Sequence, residues 1–249
     1  MLTQKINDPD MLCPSVVESE TLKRSSEVAL IRGTDGSNVL NGTASTDSIY
    51  GFGGGDYIYG NGGNDLIYAG IGDDWAYGGI GNDKIYGEDG IDNLYGEAGN
   101  DSLNGDAGND YLDGGSGNDV LNGGDGNDRV IGGLGADKLR GNAGDDRLDG
   151  GNDTSQDIFY AVPTATGTAG VDTIINFKDN QDKINLGPVL SWYDLDTNYN
   201  GRLDNGDYNV YDQAGKTTIY TGYAAGFYGN QQIIVQGDPY LTASDFMFV

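Results

Sequence analysis

The feature that most constrains this chain is a period of nine. From Gly33 to Asp149 it divides into thirteen consecutive nonapeptides without insertion or deletion. Typical units read Gly78-Gly79-Ile80-Gly81-Asn82-Asp83-Lys84-Ile85-Tyr86 and Gly114-Gly115-Ser116-Gly117-Asn118-Asp119-Val120-Leu121-Asn122, or GGxGxDxUx with U a large aliphatic residue. The eighth position runs through Leu40, Ile49, Ile58 and Ile67 to Leu148, with Ala76 the one small exception. Mostly polar or aromatic residues flank it at positions seven and nine, which predicts a short strand with one inward side chain between two outward ones. Glycine at positions one, two and four predicts turns through positive φ. A loop of six and a strand of three then make half a coil, and eighteen residues complete a turn. About 6.5 coils at roughly 4.8 Å per rung give a rod on the order of 30 Å long.

One aliphatic residue in nine is a thin core. Composition makes the difficulty worse: 44 of 249 residues are glycine, and 39 Asp and Glu face 13 Lys and Arg for a net charge of −26. Such a chain repels itself when compact and has little apolar surface to offset the entropy of ordering. Position six supplies the remedy. It holds Asp47, Asp56, Asp65, Asp74, Asp83, Asp92, Asp101, Asp110, Asp119, Asp128, Asp137 and Asp146, with Asn38 in the first unit. Repeats eighteen residues apart stack, so these carboxylates line up in two columns at about 5 Å spacing, where they repel unless cations lie between them. Carboxylates and loop carbonyls are hard oxygen ligands that suit Ca²⁺, which takes six to eight flexible contacts, better than octahedral Mg²⁺. Roughly ten ions would offset most of the charge.

This nonapeptide resembles the calcium-binding repeat of RTX (hemolysin-type) proteins. The resemblance implies an all-β fold: a right-handed parallel β-roll over residues 33–158, with an antiparallel β cap over 159–249. Residues 1–32 are a polar segment, a tail or a lid on the first coil, with residues 18–29 weakly compatible with a short helix. The stretches 172–177, 217–220 and 232–235, rich in β-branched residues, are expected as antiparallel strands of the cap. The segments Val171-Asp172-Thr173-Ile174-Ile175-Asn176-Phe177, Asp182-Lys183-Ile184-Asn185-Leu186 and Leu241-Thr242-Ala243-Ser244-Asp245-Phe246 are similar to the C-terminal β-roll region of serralysin-type secreted proteases. That likeness implies a secreted, extracellular protein that leaves through type I export machinery. The ending Asp245-Phe246-Met247-Phe248-Val249 is similar to the uncleaved signals such machinery reads.

A separate stretch, 196–207, places Asp196, Asn198, Asn200, Asp204 and Asp207 at positions 1, 3, 5, 9 and 12, with Gly201 at 6. This matches an EF-hand loop except that Asp207 stands where a bidentate Glu is usual, and it is a further candidate calcium site. Tyrosine fills position nine in six successive repeats, from Tyr50 to Tyr95, and Tyr57, Trp75 and Tyr111 join it from position seven. These outward rings form either a stabilising cross-rung ladder or a face for a polysaccharide or cell-surface ligand.

Other functions are disfavoured. With no His and a single Cys, Cys13, the chain has no His-based triad, no HExxH zinc site and no internal disulfide. It has no GxSxG motif, its carboxylates are committed to the repeat, and 32 leading residues cannot hold a protease or lipase domain, so no enzymatic activity is expected; an accessory module of a secreted enzyme is an alternative reading. Its acidity disfavours nucleic acid. No run of about 20 apolar residues exists to span a membrane, and the polar N-terminus lacks a cleavable signal.

Overall fold

The computed structural model describes residues 15–16, 29–161, 170–178, 181–187, 210–212, 216–220, 232–236 and 241–247. These form a parallel β-solenoid whose successive strands alternate between two sheets, one of twelve described strands and one of ten. Strands eighteen residues apart pair in register: Tyr57 lies beside Trp75, Ile58 beside Ala76 and Tyr59 beside Tyr77. Within the repeat this register keeps every position above its own kind. The apolar side chains at position eight therefore stack as one continuous buried core, from Leu40 and Ile49 to Leu148.

The strands are longer than the sequence suggests. From Leu66–Ile71 to Lys138–Ala143 each covers six residues and leaves only three for the turn. Pairing runs through the glycines: after Leu66, Ile67 and Tyr68 pair with Lys84, Ile85 and Tyr86, it resumes at Gly70 with Glu88 and Ile71 with Asp89. Gly-rich sequence reads as loop, but stacked backbones without side chains can approach and hydrogen-bond as strands. A second expectation also changes. Positive φ occurs at positions two and four, not one. Position-one glycine serves close approach: a Cβ on Gly96 would lie 2.5 Å from Asp101 Oδ2 and 2.6 Å from the Gly114 carbonyl oxygen of the next rung.

The sheets extend past the nonapeptides at both ends. Ser15–Val16 pairs in parallel with Asn38 and Val39, and Ala29–Arg32 with Asp47–Tyr50. After Asp149, Ile158–Tyr160 and Lys183–Asn185 continue one sheet in parallel, stacking Phe159 and then Ile184 on Leu139. Val171–Ile175 and Gln232–Gln236 continue the other. Of the three stretches expected as antiparallel, 172–177 is thus a further parallel rung, and 232–236 is parallel to Val171–Ile175 on one side and antiparallel to Lys216–Tyr220 on the other. Among the described residues the antiparallel pairs are Lys216–Tyr220 with Gln232–Gln236 and Val210–Asp212 with Lys216–Tyr220, so the expected antiparallel cap is present here as a short run of strands. The physical reason is local: Asp172 and Ile174 repeat the Asp-x-aliphatic spacing, so Ile174 lands on Leu148 and the Asp146 N–H reaches Asp172 Oδ1 at 3.3 Å. Among the described residues no helix is long and apolar enough to cross a membrane. Cys13 and the expected helix up to residue 28 lie outside the described residues.

Candidate metal centre

Each position-six aspartate enters the core edge where a tight turn meets its strand and is buried. Its two oxygens have different fates. From Asp65 to Asp146, Oδ1 accepts the main-chain N–H of the Asp one rung earlier at 2.6–2.9 Å; Asp56 Oδ1 takes the Asn38 N–H at 2.7 Å. A second ladder runs the other way at position five, where Asn64, Asn82 and Asn100 Oδ1 accept the N–H of Asn82, Asn100 and Asn118 one rung later. Each turn is therefore tied to both neighbours.

Oδ2 is the oxygen left open. In eleven of the twelve predicted aspartates, Asp56 through Asp146, it is buried and has no hydrogen-bond partner; Asp47 is the exception, its Oδ2 accepting the Thr43 N–H at 2.5 Å. An ionised carboxylate buried in this way is strongly destabilising unless something positive or acidic meets it. Burial accordingly pushes these carboxyls up against the opposing pull of the main-chain hydrogen bond. Asp56, Asp110, Asp119 and Asp146 rise to about 6, Asp65, Asp74, Asp101, Asp128 and Asp137 to about 7, and Asp92 to about 8. Asp83 is also raised, mainly by burial. Without a cation, the folded turns would favour protons at these atoms.

The donor set fits calcium. Among the described residues no group of three or more His, Cys, Asp or Glu side chains gathers around one point. Each turn offers one buried carboxylate, and further oxygens must come from the main chain and adjacent rungs. Bare glycine at position one leaves the carboxylate facing the carbonyl of the next rung, as at Gly96, where both oxygens border the same space. Such a site is carbonyl-rich, anionic and oxygen-only, as a hard cation with flexible coordination requires.

The sequence pattern missed Asp157. Two extra residues displace it from the nine-residue register, yet its Oδ1 accepts the Asp137 N–H at 3.0 Å, its Oδ2 is buried without a partner, and burial raises its carboxyl to about 7. The signal was the preserved Asp157-Ile158-Phe159 triplet, which seats Phe159 on Leu139. Asp182 extends the same column, accepting the Asp157 N–H at 3.0 Å. The EF-hand-like set, Asp196, Asn198, Asn200, Asp204 and Asp207, lies outside the described residues.

The profile of the RTX calcium-binding nonapeptide repeat (4 copies) matches residues 32–67, 50–85, 59–94, 86–121 and 122–156, together just over half of the chain. The chain belongs to the RTX calcium-binding repeat family. No curated protein matches this RTX chain. Among solved structures it is similar to the AlgE6R3 subunit of the Azotobacter vinelandii mannuronan C5-epimerase, at 27% identity over 72% of this chain and 80% of that one, with a TM-score of 0.35. It is also similar to the extracellular lipase LipA from Serratia marcescens, at 15% identity over 94% of this chain and 42% of the lipase, with a TM-score of 0.33. The RTX assignment rests on the repeat itself.

The outward tyrosines of the RTX roll stack on each other. Tyr50, Tyr68 and Tyr86 form one column, with centroids 5.3 and 4.8 Å apart and planes within 9°. Tyr59, Tyr77 and Tyr95 form another at 5.2 and 4.9 Å. Trp75 stacks on Tyr57 at 6.1 Å, and Arg129 lies over Tyr111. These contacts are the cross-rung ladder, with the inner rings Tyr68 and Tyr77 engaged on both faces by neighbouring rings.

Proposed function

We propose that this RTX chain is a secreted, extracellular protein whose roll folds on binding about ten or more calcium ions, and that in low calcium it stays extended for type I export. The observation that carries this reading is the set of buried aspartate oxygens without partners, repeated rung after rung. The folded chain offers these oxygens in fixed columns and the unfolded chain does not, so a cation that prefers the columns stabilises the fold by mass action. Calcium, when bound, supplies positive charge and several oxygen contacts per ion. The chain's own part is to hold each carboxylate by Oδ1, turn Oδ2 inward, and keep side chains off the glycine opposite. The net charge of −26 opposes compaction until cations are present. Millimolar calcium suffices at the weak affinities usual for extracellular modules.

The reading assigns no catalytic role to the chain, its repeated carboxylates being committed to cations. It assigns no glycan to the aromatic columns either, whose inner rings Tyr68 and Tyr77 are faced on both sides by neighbouring rings. The test is far-UV circular dichroism of chelator-treated protein titrated with calcium, with magnesium as control. A cooperative coil-to-β transition in calcium alone is expected; a chain already folded in chelator would sink the coupling between calcium and folding.

A further inference from the structure

The orphaned oxygens begin and end at definite places, and the main chain marks both. Position two of the repeat has positive φ in every unit from Phe52 to Asn142, and again at Gly151. These are the units whose aspartates, Asp56 through Asp146 and then Asp157, have Oδ2 without a partner. Several of these residues are not glycine: Phe52 stands at 77°, Glu88 at 74° and Glu97 at 70°. For such residues this conformation is disfavoured, and its retention marks a constraint beyond chain connectivity.

Outside that interval the turn closes differently. Thr34 and Thr43 occupy position two of the first two units without positive φ, as suits a β-branched residue. Their N–H groups point at the position-six side chain: Thr34 N–H donates to Asn38 Oδ1 at 2.6 Å, and Thr43 N–H to Asp47 Oδ2 at 2.5 Å. At the far end Lys178 N–H donates to Asp182 Oδ2 at 2.9 Å, again four residues on. A main-chain N–H thus fills the place that the interior turns leave to another partner. Asn38 is an amide in this role, so the closed turn does not need a charge.

Building on the calcium reading above, we infer that Asp157, which lies outside the nine-residue register, is a calcium ligand of this roll, and that the Asn38, Asp47 and Asp182 turns are ion-free plugs closed by a main-chain N–H. The ion columns then start at Asp56, not Asp47, and run one unit past the last regular nonapeptide. The device is the φ of the position-two residue: positive φ accompanies an open carboxylate, and Thr34, Thr43 and Lys178, all without positive φ, accompany the plugs.

The test compares the full chain with Asp157→Asn, Asp47→Asn and Asp101→Asn, with Asp101 representing the regular interior turns. Bound calcium is counted by equilibrium dialysis against calcium chloride, and folding is followed by far-UV circular dichroism. D157N is expected to lose at least one ion, as D101N does, and to fold at a higher calcium concentration. D47N is expected to keep the full count. The inference is overturned if D157N keeps every ion, if D47N loses as many as D101N, or if either variant stays unfolded at calcium concentrations where D101N folds. A wild-type chain that binds no calcium, or a D101N count equal to wild type, would instead overturn the calcium reading itself.

Discussion

Gly36 and Gly99 occupy the same position, four, of two different nonapeptides, and their surroundings separate conformational need from steric need. Gly99 has φ of 143°, and a Cβ there would overlap the Gly81 carbonyl oxygen of the preceding rung, a main-chain atom that cannot swing aside. Gly36 has ordinary φ, and among the described residues nothing lies within 4 Å of where its Cβ would be. Gly99→Ala should therefore destabilise the calcium-loaded roll at or beyond the top of the about 1–3 kcal/mol typical of overpacking. Gly36→Ala should stay within about 0.5 kcal/mol of wild type, as surface changes do. Thermal melting in saturating calcium measures both; equal losses would show that glycine at position four serves chain flexibility and not rung-to-rung contact.

At the scale of the element, the tyrosine columns are where outward side chains add to a thin core. Tyr77 stacks on both Tyr59 and Tyr95, whereas Tyr86 ends its column and stacks on Tyr68. Aromatic pairs contribute about 0.5–1.5 kcal/mol each beyond area burial. Tyr77→Ser should thus lower the melting temperature in calcium about twice as much as Tyr86→Ser, and a loss of equal size would count against the ladder. How much of such an element can be read from sequence depends on what the residue type encodes. The period, the buried column from Leu40 to Leu148 and the aspartate columns were legible because each repeats a distinct chemistry at a fixed spacing. Strand length was not, because Gly-Gly-x can be loop or strand according to whether another backbone lies alongside. The rungs at Val171–Ile175 and Lys183–Asn185 were masked by the irregular 26- and 25-residue steps from Asp146 to Asp172 and from Asp157 to Asp182, although the Asp-x-aliphatic triplet survives in both. The plugged turn at Asp47 carries the same aspartate as its neighbours. Thr43 at position two and Ser45 at position four distinguish it, and the meaning of that threonine emerges from the main-chain angle it excludes.

For the whole molecule, protons and calcium compete for one set of atoms, and this fixes how the fold depends on pH. The interior aspartates, near 3.8 as ordinary carboxyls, rise to about 6–8 in the roll because burial disfavours their charge. A group whose folded value is raised takes up a proton on folding, so its stabilisation is complete below about 3.8 and is lost as pH climbs through the folded value. In chelator the roll should therefore be favoured by acid and disfavoured at pH 8, where most of the column carboxylates are charged with no cation beside them. Calcium reverses the sense, because it binds the ionised carboxylates and must displace protons to do so. The experiment belongs at pH 5 and pH 8, above the isoelectric point near 4.1 where loss of net charge promotes association. Far-UV circular dichroism in chelator should show more β structure at pH 5 than at pH 8, and added calcium should restore it at pH 8, with a larger calcium requirement at pH 5 per unit of further stabilisation. A chelated chain equally unfolded at both values would mean that neutralising the columns is not enough, and that calcium holds the rungs together by bridging their oxygens as well as by cancelling their charge.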